Sequence, residues 1–192
     1  MDENGISQEI LTPFSENNLQ ADLKAFKSLM THIKEIDDKD HTVIMIQPEN
    51  EIGMLPSARD YHPLANKMFS QNIPKELFSY LIKNKTKLVP EFLKIWEENG
   101  SKTDGSWEEV FGTGLHTDEI FMAWYFSVYT NAIIEAGKEI YPLPMFVNAA
   151  LPRPGAVPGK TYPSAGPLPH LMDIWKAAGK SIDFLSPDFY NP

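Results

Sequence analysis

The run Thr42-Val43-Ile44-Met45-Ile46-Gln47 constrains the fold most. It is short, nearly continuously apolar and rich in β-branched residues, and both residue parities are apolar. A half-exposed antiparallel strand alternates, whereas a parallel strand covered on both faces does not. The run therefore predicts a buried parallel strand. Before it, Leu19, Leu23, Phe26, Met30 and Ile33 recur at helical steps, after a cap at Ser15 or Asn17 and ahead of the polar Asp37-Asp38-Lys39-Asp40. A helix followed by a buried strand is half of an α/β repeat.

The pattern recurs. Gly53 to Ser70, broken by Pro56 and Pro63, reads as a long loop, and Pro74 opens a helix carrying Leu77, Leu81 and Leu88. Glu91 to Glu98 is a further helix, stopped by Asn99-Gly100. Thr117 is expected to cap the longest helix, with Ile120, Phe121, Trp124, Tyr125, Val128 and Ile133 on its stripe and Gly137 near its end. Leu143 to Ala149 is a second strand, Leu168 to Ala178 a helix ended by Gly179, and Ser181 to Leu185 a third strand. The order α-β-α-α-α-β-α-β predicts a parallel α/β fold with functional residues at the C-terminal strand ends.

Composition narrows the function. With 192 residues and 42% hydrophobic content, the chain is expected to form one domain, 1–192, with a sizeable core. Acidic residues outnumber basic ones 26 to 17, which argues against a nucleic-acid or anionic-membrane surface. There is no cysteine, so thiolate metal sites, thiol nucleophiles and disulfides are excluded. The N-terminal MDENGISQEI has no signal-peptide pattern, and no apolar run approaches the roughly 20 residues that cross a bilayer. Half of the 16 prolines fall between Pro142 and Pro169.

The richest chemistry lies in Gln47-Pro48-Glu49-Asn50-Glu51-Ile52-Gly53, where the first strand emerges. Two carboxylates and two amides beside an apolar strand must be hydrogen-bonded or used. A desolvated carboxyl there has its pKa pushed up, as suits a general acid, while a solvated acidic turn is the plainer reading. His32, His41, His62, His116 and His170 show no ligand spacing and read as surface or packing residues. Of the tryptophans, Trp96, Trp124 and Trp175 follow helical stripes and read as core, while Trp107 is the least constrained candidate for stacking on a sugar. Arg59-Asp60-Tyr61-His62 and Arg153 offer substrate contacts by position alone, Asp183 reads as a paired core carboxylate, and Gly112-Thr113-Gly114 lacks the context of a nucleotide cradle.

VIMIQPENEIG resembles the fourth-strand motif of glycoside hydrolase family 35, a β-galactosidase family of the retaining clan built on (β/α)8 barrels. SARDYHPLANKMF, TDEIFMAWYFSVYTNAI, YPLPMFVNAALPRPG, PSAGPLPHLMDIWKAAG and SIDFLSPDFYNP are similar to a bacterial group of the same kind, in the same order. The resemblance implies a partial TIM barrel covering strands four to six. It implies Glu51 as the catalytic acid/base and Asn50 as the partner of the sugar 2-hydroxyl, supported by Gln47 and Glu49. Pro48 stands where the family has an aliphatic residue. Asn148, at the end of the fifth strand, and Asp188 with Tyr190, at the end of the sixth, would line the sugar site.

The implied partner is an oligosaccharide or galactoside, with no cofactor, no metal, no nucleic acid and no membrane. The implied location is outside the cytoplasm, as for the family's relatives. The clan's nucleophile, a Glu ending the seventh strand, has no match here, so the chain is expected to be an inactive fragment when alone, with open sheet edges that invite self-association. A non-catalytic carbohydrate-binding module and a small α/β enzyme with unrelated chemistry at Glu49 and Glu51 are the alternatives.

Overall fold

The computed structural model describes residues 1–188. Its first helix, α1 (Glu16–Asp37), starts where Ser15 Oγ accepts the Asn18 N–H at 3.3 Å. Four short helices follow: α2 (Pro63–Phe69), α3 (Lys75–Asn84), α4 (Pro90–Glu98) and α5 (Trp107–Phe111). The long α6 (Leu115–Lys138) leads to strand β1 (Phe146–Ala150), and α7 (Met172–Ala178) leads to strand β2 (Phe184–Asp188).

No barrel forms. Among the described residues the fold is helical, with one sheet of two parallel strands in the register Phe146↔Phe184 to Ala150↔Asp188. A (β/α)8 barrel closes only with eight strands. The partial TIM barrel implied by the resemblance is therefore corrected, and so is the strand expected at Thr42–Gln47. That segment contributes a single parallel bridge, Ile46↔Met145, in which the Ile46 N–H donates to Pro144 O at 3.0 Å and the Phe146 N–H to Ile46 O at 3.1 Å. Ile44 is 69% exposed and Met45 41%, so the run is uncovered where double burial was expected. The third strand exists but begins three residues later, because Asp183 ends its approach by donating its N–H to Met145 O at 2.9 Å.

The sheet has one covered face. Val147 and Ala149 of β1 are buried in the core with Met145, whereas alternation turns Phe146 and Asn148 to the opposite side. There Phe146 stacks on Phe184, with ring centroids 4.9 Å apart.

Helix α6 is the centre of the core, with buried residues on all of its faces, from Thr117 and Ile120 to Ile134 and Gly137. Phe121 meets Phe14, Phe69, Trp107 and Tyr125 at centroid distances of 5.0 to 5.4 Å. Ser127 Oγ donates to Trp175 O at 3.0 Å and ties α7 alongside. The buried Asp173 of α7 reaches back, accepting from Tyr80 Oη of α3 at 3.2 Å and from the Val89 N–H ahead of α4 at 2.6 Å. All four tryptophans are buried, Trp107 completely, so the reading of Trp107 as a sugar platform gives way to a core role.

Two short helices interrupt stretches that read as irregular. Pro63 opens α2, with His62 Nδ1 accepting the Leu64 N–H, and a capping box of Ser106 and Glu109 opens α5. The proline-rich segment is a tethered loop. Ser164 exchanges both backbone hydrogen bonds with Met54, at 2.8 and 3.0 Å, and its Oγ donates to Ala58 O.

At Gly137 an added Cβ would lie 2.3 Å from a Phe26 ring carbon and 3.0 Å from the Met145 methyl. Gly137 is thus the point where α1 and the sheet approach α6 most closely. Gly137→Ala is expected to destabilise the fold by about 1–3 kcal/mol through overpacking, which thermal unfolding would show as a Tm lower by roughly 2–4 °C per kcal/mol.

Candidate functional site

Asn148 organises the polar end of the sheet. It is only 4% exposed, yet its side chain is fully used. Its Oδ1 accepts the Glu51 N–H at 2.8 Å, and its Nδ2 donates to Asn50 Oδ1 at 3.1 Å and to Asp188 Oδ2 at 2.6 Å. Gln47 Nε2 also donates to Asn50 Oδ1, at 3.1 Å. Five expected site residues, Gln47, Asn50, Glu51, Asn148 and Asp188, therefore meet at the C-terminal end of the sheet, drawn from three separate segments.

Backbone geometry sets how Glu51 is presented. Its φ is 46°, in the left-handed region that non-glycine residues rarely adopt. Such a conformation persists where neighbouring contacts over-determine it, and the Asn148 bond to the Glu51 N–H is one of them. The turn leaves the Glu51 side chain half-buried.

Glu49 does not join this group. It lies in the opposite direction, lining a hollow of about 320 Å³ with Asp22, Ile52, Phe126 and Tyr129. Burial pushes its carboxyl up to about 7, and the charge of Asp22 adds to the shift. Tyr129 Oη donates to Asp22 across the same hollow. Tyr190 lies outside the described residues.

The remaining candidates have structural partners. Arg59 pairs with Asp118 at 2.9 Å and lies over the Tyr61 and Phe69 rings. Asp183 Oδ2 accepts from Lys138 Nζ and from the Met145 N–H, each at 2.6 Å, and fixes the approach to β2. His41 contacts Tyr141 Oη, His62 caps α2, and His116 contacts Phe111 O. Among the described residues no cluster of three or more His, Cys, Asp or Glu side chains is placed to hold a metal, and no helix is long and apolar enough to cross a membrane.

The residue that sequence reasoning missed is Glu119. It is 3% exposed and accepts from Tyr162 Oη at 2.9 Å, the Ala165 N–H at 3.2 Å and His170 Nε2 at 2.8 Å. Its signal was present: an acid next to Ile120 and Phe121 on a buried helix requires partners. Burial, and then the charge of Glu119, holds the Tyr162 hydroxyl well above the usual phenol range.

No family model matches the chain, and no curated protein matches it. Function must therefore be argued from the site itself.

Two outcomes test this geometry. Asn148→Ala strands the Glu51 N–H and removes three hydrogen bonds, so chemical denaturation should report a loss of about 1–3 kcal/mol. Glu49 has the opposite sense. Its folded-state pKa of about 7 lies above the ordinary 4.5, so the folded chain keeps a proton that the unfolded chain releases. That stabilisation is complete below pH 4.5 and is lost as pH rises through 7. Glu49→Gln should therefore stabilise the protein at pH 8, by up to about 3 kcal/mol, and change little at pH 4. Melts across that range give the comparison.

Proposed function

We propose that this chain carries the acid/base half of a retaining glycoside-hydrolase site of β-galactosidase type, with Glu51 as the proton donor. The observation that supports it is the Asn148 network, which holds the Asn50-Glu51 pair and Asp188 together at one end of the sheet. Buried amides satisfied by one another and by a carboxylate form a rigid polar surface. Asn50, exposed at the edge of that network, is positioned for a sugar hydroxyl. Asp188 accepts hydroxyl donors beside it.

In this chemistry one carboxylic acid protonates the leaving oxygen while a second carboxylate attacks the anomeric carbon from roughly 5–5.5 Å away. Glu51 takes the first role. Asp188 is already committed to Asn148 and serves binding, so the nucleophile is left to another carboxylate. A non-catalytic carbohydrate-binding module is the second reading. It is favoured by the bonds of Asn148 to Asn50 and Asp188, which make a preformed polar surface of the kind that binds hydroxyls.

An added nucleophile separates the two. With azide and phenyl β-galactoside, azide attacks the anomeric carbon, the bond to the phenolic oxygen breaks, and Glu51 gives that oxygen its proton. Galactosyl azide should form with the native chain and fall by about 10²–10⁴-fold in Glu51→Gln. Equal rates in the two proteins would refute the acid/base assignment, and saturable galactoside binding without any product would favour the binding module.

A further inference from the structure

We propose that the hollow between α4 and the proline-rich segment binds a small sugar acid, with Arg153 taking the carboxylate and His170 a hydroxyl. The hollow measures about 520 Å³, within the range of sites that enclose a single small ligand. Ile95, Leu151 and Pro169 give it apolar walls, and Arg153, His170 and Glu91 supply polar groups. A second hollow of about 350 Å³ shares Leu151, Arg153 and Tyr162 with it and extends to Ala150, the last residue of β1. The space thus opens toward the end of the sheet that carries Asn148.

The chemistry of the walls selects the ligand. Arg153 is exposed at the rim and always charged, and its planar fork matches a carboxylate. His170 is oriented from behind: its Nε2 is engaged by the buried Glu119 carboxylate at 2.8 Å. A carboxylate accepts only, so Nε2 carries the proton that points at Glu119, which leaves Nδ1 as the ring atom for a ligand. Among the described residues Nδ1 has no hydrogen-bond partner. A hydroxyl, which both donates and accepts, suits Nδ1, and the Glu91 carboxylate in the same lining is an acceptor for the same kind of group. A carboxylate for Arg153, hydroxyls for two acceptors and a ring face for the apolar walls together describe a uronic-acid-like sugar.

Glu119 acts as a positioning residue. It holds Tyr162, Ala165 and His170 at once, so one carboxylate fixes three points of the segment that forms the wall. The site uses no residue of the Asn148 network and does not depend on the acid/base role of Glu51.

The test is calorimetric titration of the full chain with galacturonate, using galactose as the neutral control. Galacturonate should bind saturably and at least about tenfold more tightly than galactose. Arg153→Ala should lower galacturonate affinity by about tenfold or more and leave galactose unaffected. Arg153 is exposed, so this variant keeps the core, and an unchanged melting curve verifies it. Asn148→Ala should leave galacturonate binding intact, which separates this site from the proposed catalytic one. Equal binding of the two sugars, no saturable galacturonate binding, or an Arg153→Ala variant with native affinity would overturn the proposal.

Discussion

Helix α6 is buried over most of its surface, and covering it dictates how the other elements lie. Only a narrow strip with Val128 and Glu135 reaches water, and the rest of its apolar surface must be enclosed by neighbours because it is too large to leave in water. Each neighbour is fixed at a specific point. Phe26 of α1 closes on Gly137, where no side chain fits, and Met145 brings the sheet to the same glycine. Ser127 ties α7 through Trp175 O, and the aromatic cluster around Phe121 draws in α2 and α5. Glu119 extends the enclosure to the proline-rich loop, which a purely apolar helix would have no directional means of holding.

This enclosure explains why the sheet can be so small. Val147 and Ala149 of β1 bury one face of the sheet in the same core as the apolar residues of α6. The other face then varies along its length. Phe146 and Phe184 stack at the end where the strands begin, and Asn148 and Asp188 lie where they finish. Parallel strands point their C-terminal ends the same way, so Asn148 in β1, Asp188 as the last residue of β2, and Asn50 and Glu51 after the Ile46 bridge converge there. Asn148 turns that convergence into a network, because its amide is satisfied only when residues 50, 51 and 188 are all present.

Elements with strong local signals were legible in the sequence. α1 has its Ser15 cap, α4 its Asn99-Gly100 stop and α7 its Gly179 stop, and all three lie close to where periodicity places them. α2 escaped because Pro63 was read as breaking a loop when it opens a helix, and α5 because a helix of 5 residues completes too few turns to show a stripe. The barrel was a larger error. An apolar run on both parities was taken to mean cover on both faces, but Ile44 and Met45 lie in the open. Composition reports what a segment could bury, and only the neighbours actually present decide what it does bury. That Asn50, Glu51, Asn148 and Asp188 would lie near one another was implied by the resemblance, and the parallel strands bring them together. Glu49 was misplaced because the chain bends over residues 49–51, where Glu51 takes a φ of 46°, so neighbours in sequence face different sides.

Glu49 and Glu119 show why burial alone does not tell what a carboxyl does. Glu119 is 3% exposed and Glu49 half-buried. Glu119 receives three donors and becomes a fixed anchor for the loop. Glu49 faces Asp22, a second acid, so its neighbour compounds the penalty of burial and the carboxyl titrates near 7. One site converts a buried acid into architecture, and the other sets two acids against each other. The difference lies in the donors that the fold places around each carboxyl, which is why neither role follows from the identity of the residue.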